Sequence, residues 1–231
     1  MYASLPAGSD EQSSGYSYAG LVVRAGREPL LERFARAHFS GWVGPQEGDW
    51  VVVVPARPTA ERPAAEANLE KLAAELAVQS DDAVLLVTVR RDRLLGLVLW
   101  NGRDELGRYL SDPSFGSTSM LDFDEFGFGP QGVEYAESFA EVCGRPEAAE
   151  ELAEILGNAL DEEKEIESER LGDVLRLLGL PRWLVAARSL PRDVPTGPRA
   201  NDFTFLGHGH GGTTGRLYRY LTRLFRRRPP D

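Results

Sequence analysis

Two apolar, β-branched runs, Val84 to Val89 and Leu94 to Trp100, flank a short charged turn at Arg91 and Asp92. That is the spacing of a β-hairpin. Asn101-Gly102 follows the second run directly, and because both residues tolerate the positive φ of a type I′ turn, a third strand through Leu106 and Tyr109 is expected. The residues from 84 to 110 thus read as an antiparallel meander in the middle of the one large sheet. Its first two strands are apolar at nearly every position, which predicts cover on both faces, whereas the third alternates and should keep one face wet.

The pattern upstream gives strand, helix, two strands and helix. Tyr18 to Arg24 reads as a strand. Leu30, Leu31, Phe34, Ala35 and His38 recur at helical spacing from Glu28 to Phe39, with Pro29 in the first turn. Gly41 to Gly44 and Asp49 to Pro55 read as strands around a Pro45-Gln46-Glu47-Gly48 turn, four consecutive valines marking the second as buried. A proline-punctuated connection leads to Ala64 to Gln79, which carries Leu69, Leu72, Ala73 and Leu76 on one stripe. The order β-α-β-β-α-β is that of a split-βαβ, ferredoxin-like unit. The predicted class is α+β: that unit, extended by the antiparallel meander, then acidic helices, then a basic C-terminal helix.

Downstream, 111–133 has no sustained periodicity. Helices are expected over 146–156, opened by Pro146 and closed near Gly157-Asn158, and over about 168–178, closed by Gly179 and Pro181. Trp183 to Ala187 fits a short helix or a strand, and Phe203 to Leu206 an edge strand. The expected organisation is a disordered tail over 1–17, an α+β domain over 18–190, a Pro/Gly-rich linker with a candidate edge strand over 191–212, and a basic amphipathic helix over 213–231.

Composition narrows the function classes. A formal net charge of −10 over 231 residues argues against a general nucleic-acid binder, which needs surplus Lys and Arg for phosphate. Cys143 is the only cysteine, so no intramolecular disulfide can form. The N-terminus has neither the basic nor the apolar region of a secretion signal and no apolar run is long enough to span a bilayer, so the expected location is the cytoplasm. Of 26 basic residues only Lys71 and Lys164 are lysine, a bias associated with GC-rich bacterial genomes.

Charge is segregated along the chain. Residues 134–173 hold fourteen acidic side chains against Arg145, Lys164 and Arg170. From Thr213 to Arg228, Leu217, Tyr218, Tyr220, Leu221, Leu224 and Phe225 recur at helical spacing among Arg216, Arg219, Arg223, Arg226, Arg227 and Arg228, with no acid among them. The competing uses of this tail are docking on the chain's own acidic helices or those of a second copy, lying on an anionic membrane surface, and gripping an acidic partner or nucleic acid.

Chemical signatures are sparse. Asp122, Asp124 and Glu125 offer hard oxygen ligands, and Phe115, Phe123, Phe126 and Phe128 an apolar surface, but the spacing falls short of a Ca²⁺ loop and reads better as a solvated acidic turn. In Gly207 to Gly212 (GHGHGG) two histidines lie two apart, yet a metal wants three or four ligands and His38 is the only other histidine; a hinge is the plainer reading. No G-x-S-x-G, H-E-x-x-H, P-loop or cysteine pair is present. Cys143 reads as a buried structural thiol.

The order of apolar hairpin, Asn-Gly turn, Arg108-Tyr109-Leu110-Ser111-Asp112-Pro113, long loop, Arg145-Pro146-Glu147-Ala148 opening a helix with Leu152 and Leu156, then Leu171 and Leu175 through Leu178-Gly179-Leu180-Pro181 resembles an uncharacterised bacterial α+β domain family. The resemblance covers about residues 20–190 and implies an α+β module with no cofactor and no catalytic residue.

The expected function is that of a non-enzymatic cytoplasmic interaction or regulatory protein, its acidic body engaging a protein partner or a second copy and its tail an anionic membrane surface. The tail residues expected to make contact are Arg216, Arg219, Leu221, Arg223, Leu224, Phe225, Arg226, Arg227 and Arg228; the loop candidates are Phe115, Asp122, Asp124 and Phe126. An immunity-type protein neutralising a basic toxin is a special case. A metal-dependent enzyme using the acidic loop 122–125 is the competing class.

Overall fold

The computed structural model describes residues 15–56, 63–80, 82–115, 129–158, 166–208 and 210–211, with the backbone alone at 63–66, 80, 210 and 211. It is a mixed helix-and-strand fold, of the α+β class that the patterning predicts. Among the described residues eight strands form one antiparallel sheet: β1 (Tyr18–Arg24), β2 (Gly41–Glu47), β3 (Trp50–Pro55), β4 (Ala83–Arg90), β5 (Leu94–Asn101), β6 (Asp104–Leu110), β7 (Thr204–Gly207) and β8 (His210–Gly211), in the spatial order β6-β5-β4-β1-β3-β2-β7-β8.

The helices cover both faces, which is why the central strands have so few polar positions. On one side α1 (Arg27–Arg36) and α2 (Pro63–Ser80) bring Leu30, Phe34, Leu69, Ala73 and Leu76 onto Leu21, Val23, Val51, Val53, Val84, Leu86, Val98 and Trp100. On the other, α3 (Ala136–Val142), α4 (Ala149–Gly157) and α5 (Glu167–Leu177) bring Phe139, Leu152, Leu156, Leu171 and Val174 onto Leu85, Val87, Leu95, Leu97, Leu99 and Tyr109. Alternate residues of each strand serve alternate layers, as the two-residue period of a strand requires. Edge strand β6 turns a polar row outward, where Arg108 pairs with Glu105 at 2.9 Å and Glu70 at 2.6 Å.

The β4–β5–β6 meander forms, but at one edge of the sheet and not in its middle, with its first turn at Arg91 and Asp92, both at positive φ, and its second at Gly102. The β2–β3 turn differs from the expected one. Pro45 lies inside β2, at a register shift between Val43 and Gln46, and the reversal comes at Gly48-Asp49 instead. A bulge is where a strand can hold a residue with no N–H to donate.

Residues 191–199, expected as linker, belong to the body. Val194 is buried, its N–H donates to the Pro198 carbonyl at 3.1 Å, and Asp193 accepts from the Ala200 N–H at 2.7 Å. A 3₁₀ helix over Arg182–Ser189 seats this segment: Leu184 packs where Gly20 leaves the β1 surface bare, and Trp183 does the same over Gly44. Phe203 meets Trp183 edge-on, with ring centroids 5.0 Å apart. The expected hinge over Gly207-Gly212 is, in its described part, the β7–β8 hairpin.

Candidate functional site

The most chemically distinctive part of the described structure is a buried polar network where the β4–β5 turn, the end of β6 and the start of α5 meet. Asp92, Ser111, Glu167 and Arg170 are its buried polar members, and Tyr109 is buried beside them. Asp92 Oδ2 accepts from the Tyr16 N–H at 2.7 Å, Oδ1 accepts from the Ser168 hydroxyl, and the Ser168 oxygen accepts from Tyr18 Oη at 3.0 Å. The Asp92 carbonyl takes the Glu167 N–H at 3.1 Å. Just ahead of β1, the Ser17 hydroxyl accepts from the Arg91 N–H at 2.9 Å.

Arg170 closes the network on its helical side. It donates to Tyr109 Oη at 3.1 Å and the Asn158 carbonyl at 2.8 Å, and its Nε lies 3.6 Å from Glu167 Oε2. Tyr109 in turn donates to the Leu156 carbonyl at 3.0 Å, so the guanidinium ties β6, α4 and α5 together. Burial pushes the Tyr109 phenol up to about 12, against the opposing pull of the Arg170 charge.

Glu167 is 1% exposed, and its Oε2 has no hydrogen-bond partner. Burial raises its pKa above the ordinary glutamate range; the Ser111 hydrogen bond and the Arg170 charge oppose that without cancelling it, and Asp112 and Asp92 reinforce it. The folded chain therefore holds this proton more tightly than the unfolded one. The resulting stability is fully present below the unfolded value of about 4.3 and is lost as the pH rises through the folded value. Replacing Glu167 with Gln removes the titration, so the melting temperature of the variant relative to the native chain should shift in favour of the variant between about pH 4 and pH 8. A constant difference over that range would show that Glu167 does not titrate this way.

This network carries an acidic outer layer. On the solvent side of α3, α4 and α5 and the turns between them, Glu134, Glu137, Glu141, Glu147, Glu150, Glu151, Glu154, Glu169 and Asp173 are exposed. On these helices and turns the exposed bases among the described residues are Arg145, engaged with Glu147 at 2.6 Å, and Arg176, which lies 3.4 Å from Asp173 and 3.7 Å from Glu151. Glu137 with Glu141 and Glu150 with Glu154 are like-charge i,i+4 pairs, each unfavourable by about 0.2–0.5 kcal/mol in an isolated helix.

The remaining candidates divide by position. Phe115 is half-buried, its N–H donating to the Asp112 carbonyl at 3.2 Å. Asp122, Asp124 and Phe126 lie outside the described residues, as do Arg216, Arg219, Leu221, Arg223, Leu224, Phe225, Arg226, Arg227 and Arg228. Cys143 closes α3, and burial pushes its thiol up to about 12 despite the nearby Arg24. So protonated a thiol is a poor nucleophile at neutral pH. A cleft of about 190 Å³ lies between Tyr18, Trp42, Pro55 and Arg188, and one of about 780 Å³, within the roughly 300–1,000 Å³ of a typical small-molecule site, between Arg108, Leu110, Gln131 and Tyr135. Among the described residues no helix is long and apolar enough to cross a membrane.

Sequence reasoning found the acidic run but missed the network beneath it. Asp92 read as a turn residue and Arg170 as one base in an acidic stretch. The available signal was the placement of Glu167 and Arg170 on the same helical stripe as Leu171 and Val174, where a fully solvated pair would not lie.

No family model matches the chain, and neither curated proteins nor solved structures give a significant match.

Proposed function

We propose that the chain is a non-enzymatic interaction protein of the cytoplasm that presents the α3–α4–α5 layer to a protein partner with a basic surface. The observation that carries this reading is nine exposed carboxylates against two exposed arginines among the described residues, Arg145 and Arg176, both paired with them, on a layer anchored by buried hydrogen bonds. Such a surface favours fast, salt-sensitive association with a positive patch. The like-charge pairs on α3 and α4 support it, because a surface shaped for stability alone would alternate Glu with Lys.

The scaffold in this reading is a ferredoxin-like β4-β1-β3-β2 core, widened by β5 and β6 on one side and by β7 and β8 on the other. In this reading the basic stretch 213–228 meets an anionic membrane surface and leaves the acidic layer for the partner.

The test is a pull-down, without crosslinker, that compares the native chain with one carrying Glu137→Lys, Glu141→Lys, Glu150→Lys and Glu154→Lys. All four positions are exposed, so the melting temperature should change little. The native bait should retain a partner that is released by about 1 M salt, where the screening length falls to about 3 Å, and the reversed bait should not retain it at low salt. Recovery of the same proteins by both baits would overturn the reading.

A further inference from the structure

Pairing stops early between the two central strands of the sheet. β1 stays paired with β4 as far as Tyr18, and β3 with β2 as far as Pro55, whereas the β1–β3 ladder ends at Leu21 and Val53. The cause lies in the sequence. Two residues further on, the register sets Ala19 against Pro55. The Ala56 N–H turns to the Ser40 carbonyl, on the β2 side, at 3.0 Å, so Pro55, one residue back, turns toward β1. Proline has no N–H to give the Ala19 carbonyl, and the ladder cannot run on.

Over this unpaired end lies the cleft of about 190 Å³. Tyr18, Trp42 and Val54 wall it on the sheet side; the 3₁₀ helix over Arg182–Ser189 closes it with Ala187, followed by Leu190. Phe205 backs the Trp42 ring, with centroids 4.6 Å apart, and holds it in place. An apolar cavity of about 150 Å³ takes a benzene molecule, so this cleft has the volume for one ring and a small substituent. Tyr18 and Trp42 give that ring an aromatic wall.

The wall carries one charge. Arg188 lines the cleft with no carboxylate beside it, whereas Arg33, Arg108, Arg145, Arg170 and Arg176 each pair with an acid of the chain. Its guanidinium lies over the Tyr16 ring, 3.2 Å from the centroid. A guanidinium stacked by its face keeps the N–H groups of its edge for a planar anion, which a carboxylate meets with two parallel bonds.

We propose that this cleft binds a single-ring aromatic carboxylate, its ring against Trp42 and its carboxylate on Arg188. A larger anion such as a nucleotide exceeds the volume. A neutral ring would displace water from Arg188 and leave the charge without a partner. No residue of the cleft belongs to the acidic layer, so the proposal does not rest on the partner reading.

The probe is benzoate, with benzyl alcohol as its neutral counterpart, titrated into the full-length protein and followed by the indole N–H signals in NMR. The chain has four tryptophans, and the signal missing from Trp42→Phe should move in the native protein until benzoate saturates it. Benzyl alcohol should bind at least about tenfold more weakly, and Arg188→Gln should weaken benzoate by at least the same factor, since a hydrogen bond to a charged group contributes that much. Arg188 is exposed, so the variant should keep the native spectrum. Ala56→Leu carries bulk into the cleft from a half-buried position and should abolish binding. A Trp42 signal unmoved at millimolar benzoate, equal binding of benzyl alcohol, or native affinity in Arg188→Gln would each overturn the proposal.

Discussion

Replacing Arg170 with alanine should destabilise the chain by about 3–5 kcal/mol, the range for removing one partner of a buried ion pair. The guanidinium is 7% exposed and has three dependants: the Tyr109 hydroxyl, the Asn158 carbonyl and the Glu167 carboxylate. Truncation leaves Glu167, whose Oε2 already lacks a hydrogen-bond partner, without its closest positive charge. It also unties α5 from the end of α4 and from β6. Arg170→Met separates packing from charge: methionine replaces the aliphatic stem, so whatever loss remains belongs to the polar contacts. The measurement is the urea midpoint at constant m-value near pH 7. A loss below about 1 kcal/mol in Arg170→Ala would mean that water enters and solvates Glu167, and the network would then not anchor the acidic layer.

The fold was legible wherever hydrophobic period alone decides structure. The runs at Val84–Val89 and Leu94–Trp100 became β4 and β5, because strands covered on both faces need apolar residues at consecutive positions. Leu30 and Phe34 became the buried stripe of α1 for the analogous helical reason. What failed was punctuation. Pro45 is a turn signal in the sequence, but a bulge absorbs it; Pro191, Pro195 and Pro198 have the pattern of a linker, but Trp183, Val194 and Phe203 hold that segment on the body. The bare sheet surface at Gly20 and Gly44, which admits Leu184 and Trp183, exists only once the strands are assembled. The candidate site follows the same division. Its charge could be counted along the chain, whereas the bonds joining Asp92 to Tyr16 and Ser168, and Arg170 to Tyr109, link residues 61 to 76 positions apart.

Replacing Asp92 with alanine should also cost about 3–5 kcal/mol, by a different route. Its carboxylate, on a side chain 4% exposed, accepts from the Tyr16 N–H and the Ser168 hydroxyl, and each charge-assisted bond in such a setting contributes about 1.5–3 kcal/mol. Alanine must also adopt the left-handed angle of 52°, which adds about 1–2 kcal/mol. Asp92→Asn avoids the strain and keeps an acceptor for Tyr16, but it turns a donor toward the Ser168 hydroxyl, so about 1–2 kcal/mol should be lost. The ordering of alanine well below asparagine identifies the carboxylate as a clamp. Equal losses would reduce it to a turn residue. Because Asp92 and Ser168 share one bond, Asp92→Ala combined with Ser168→Ala should fall short of the sum of the single losses by about 1 kcal/mol, whereas Asp92→Ala with Phe34→Ala, on the opposite face of the sheet, should add. Additivity in the first pair would break the link from the β4–β5 turn to the start of α5, and with it the physical reason for treating the acidic layer as a fixed surface.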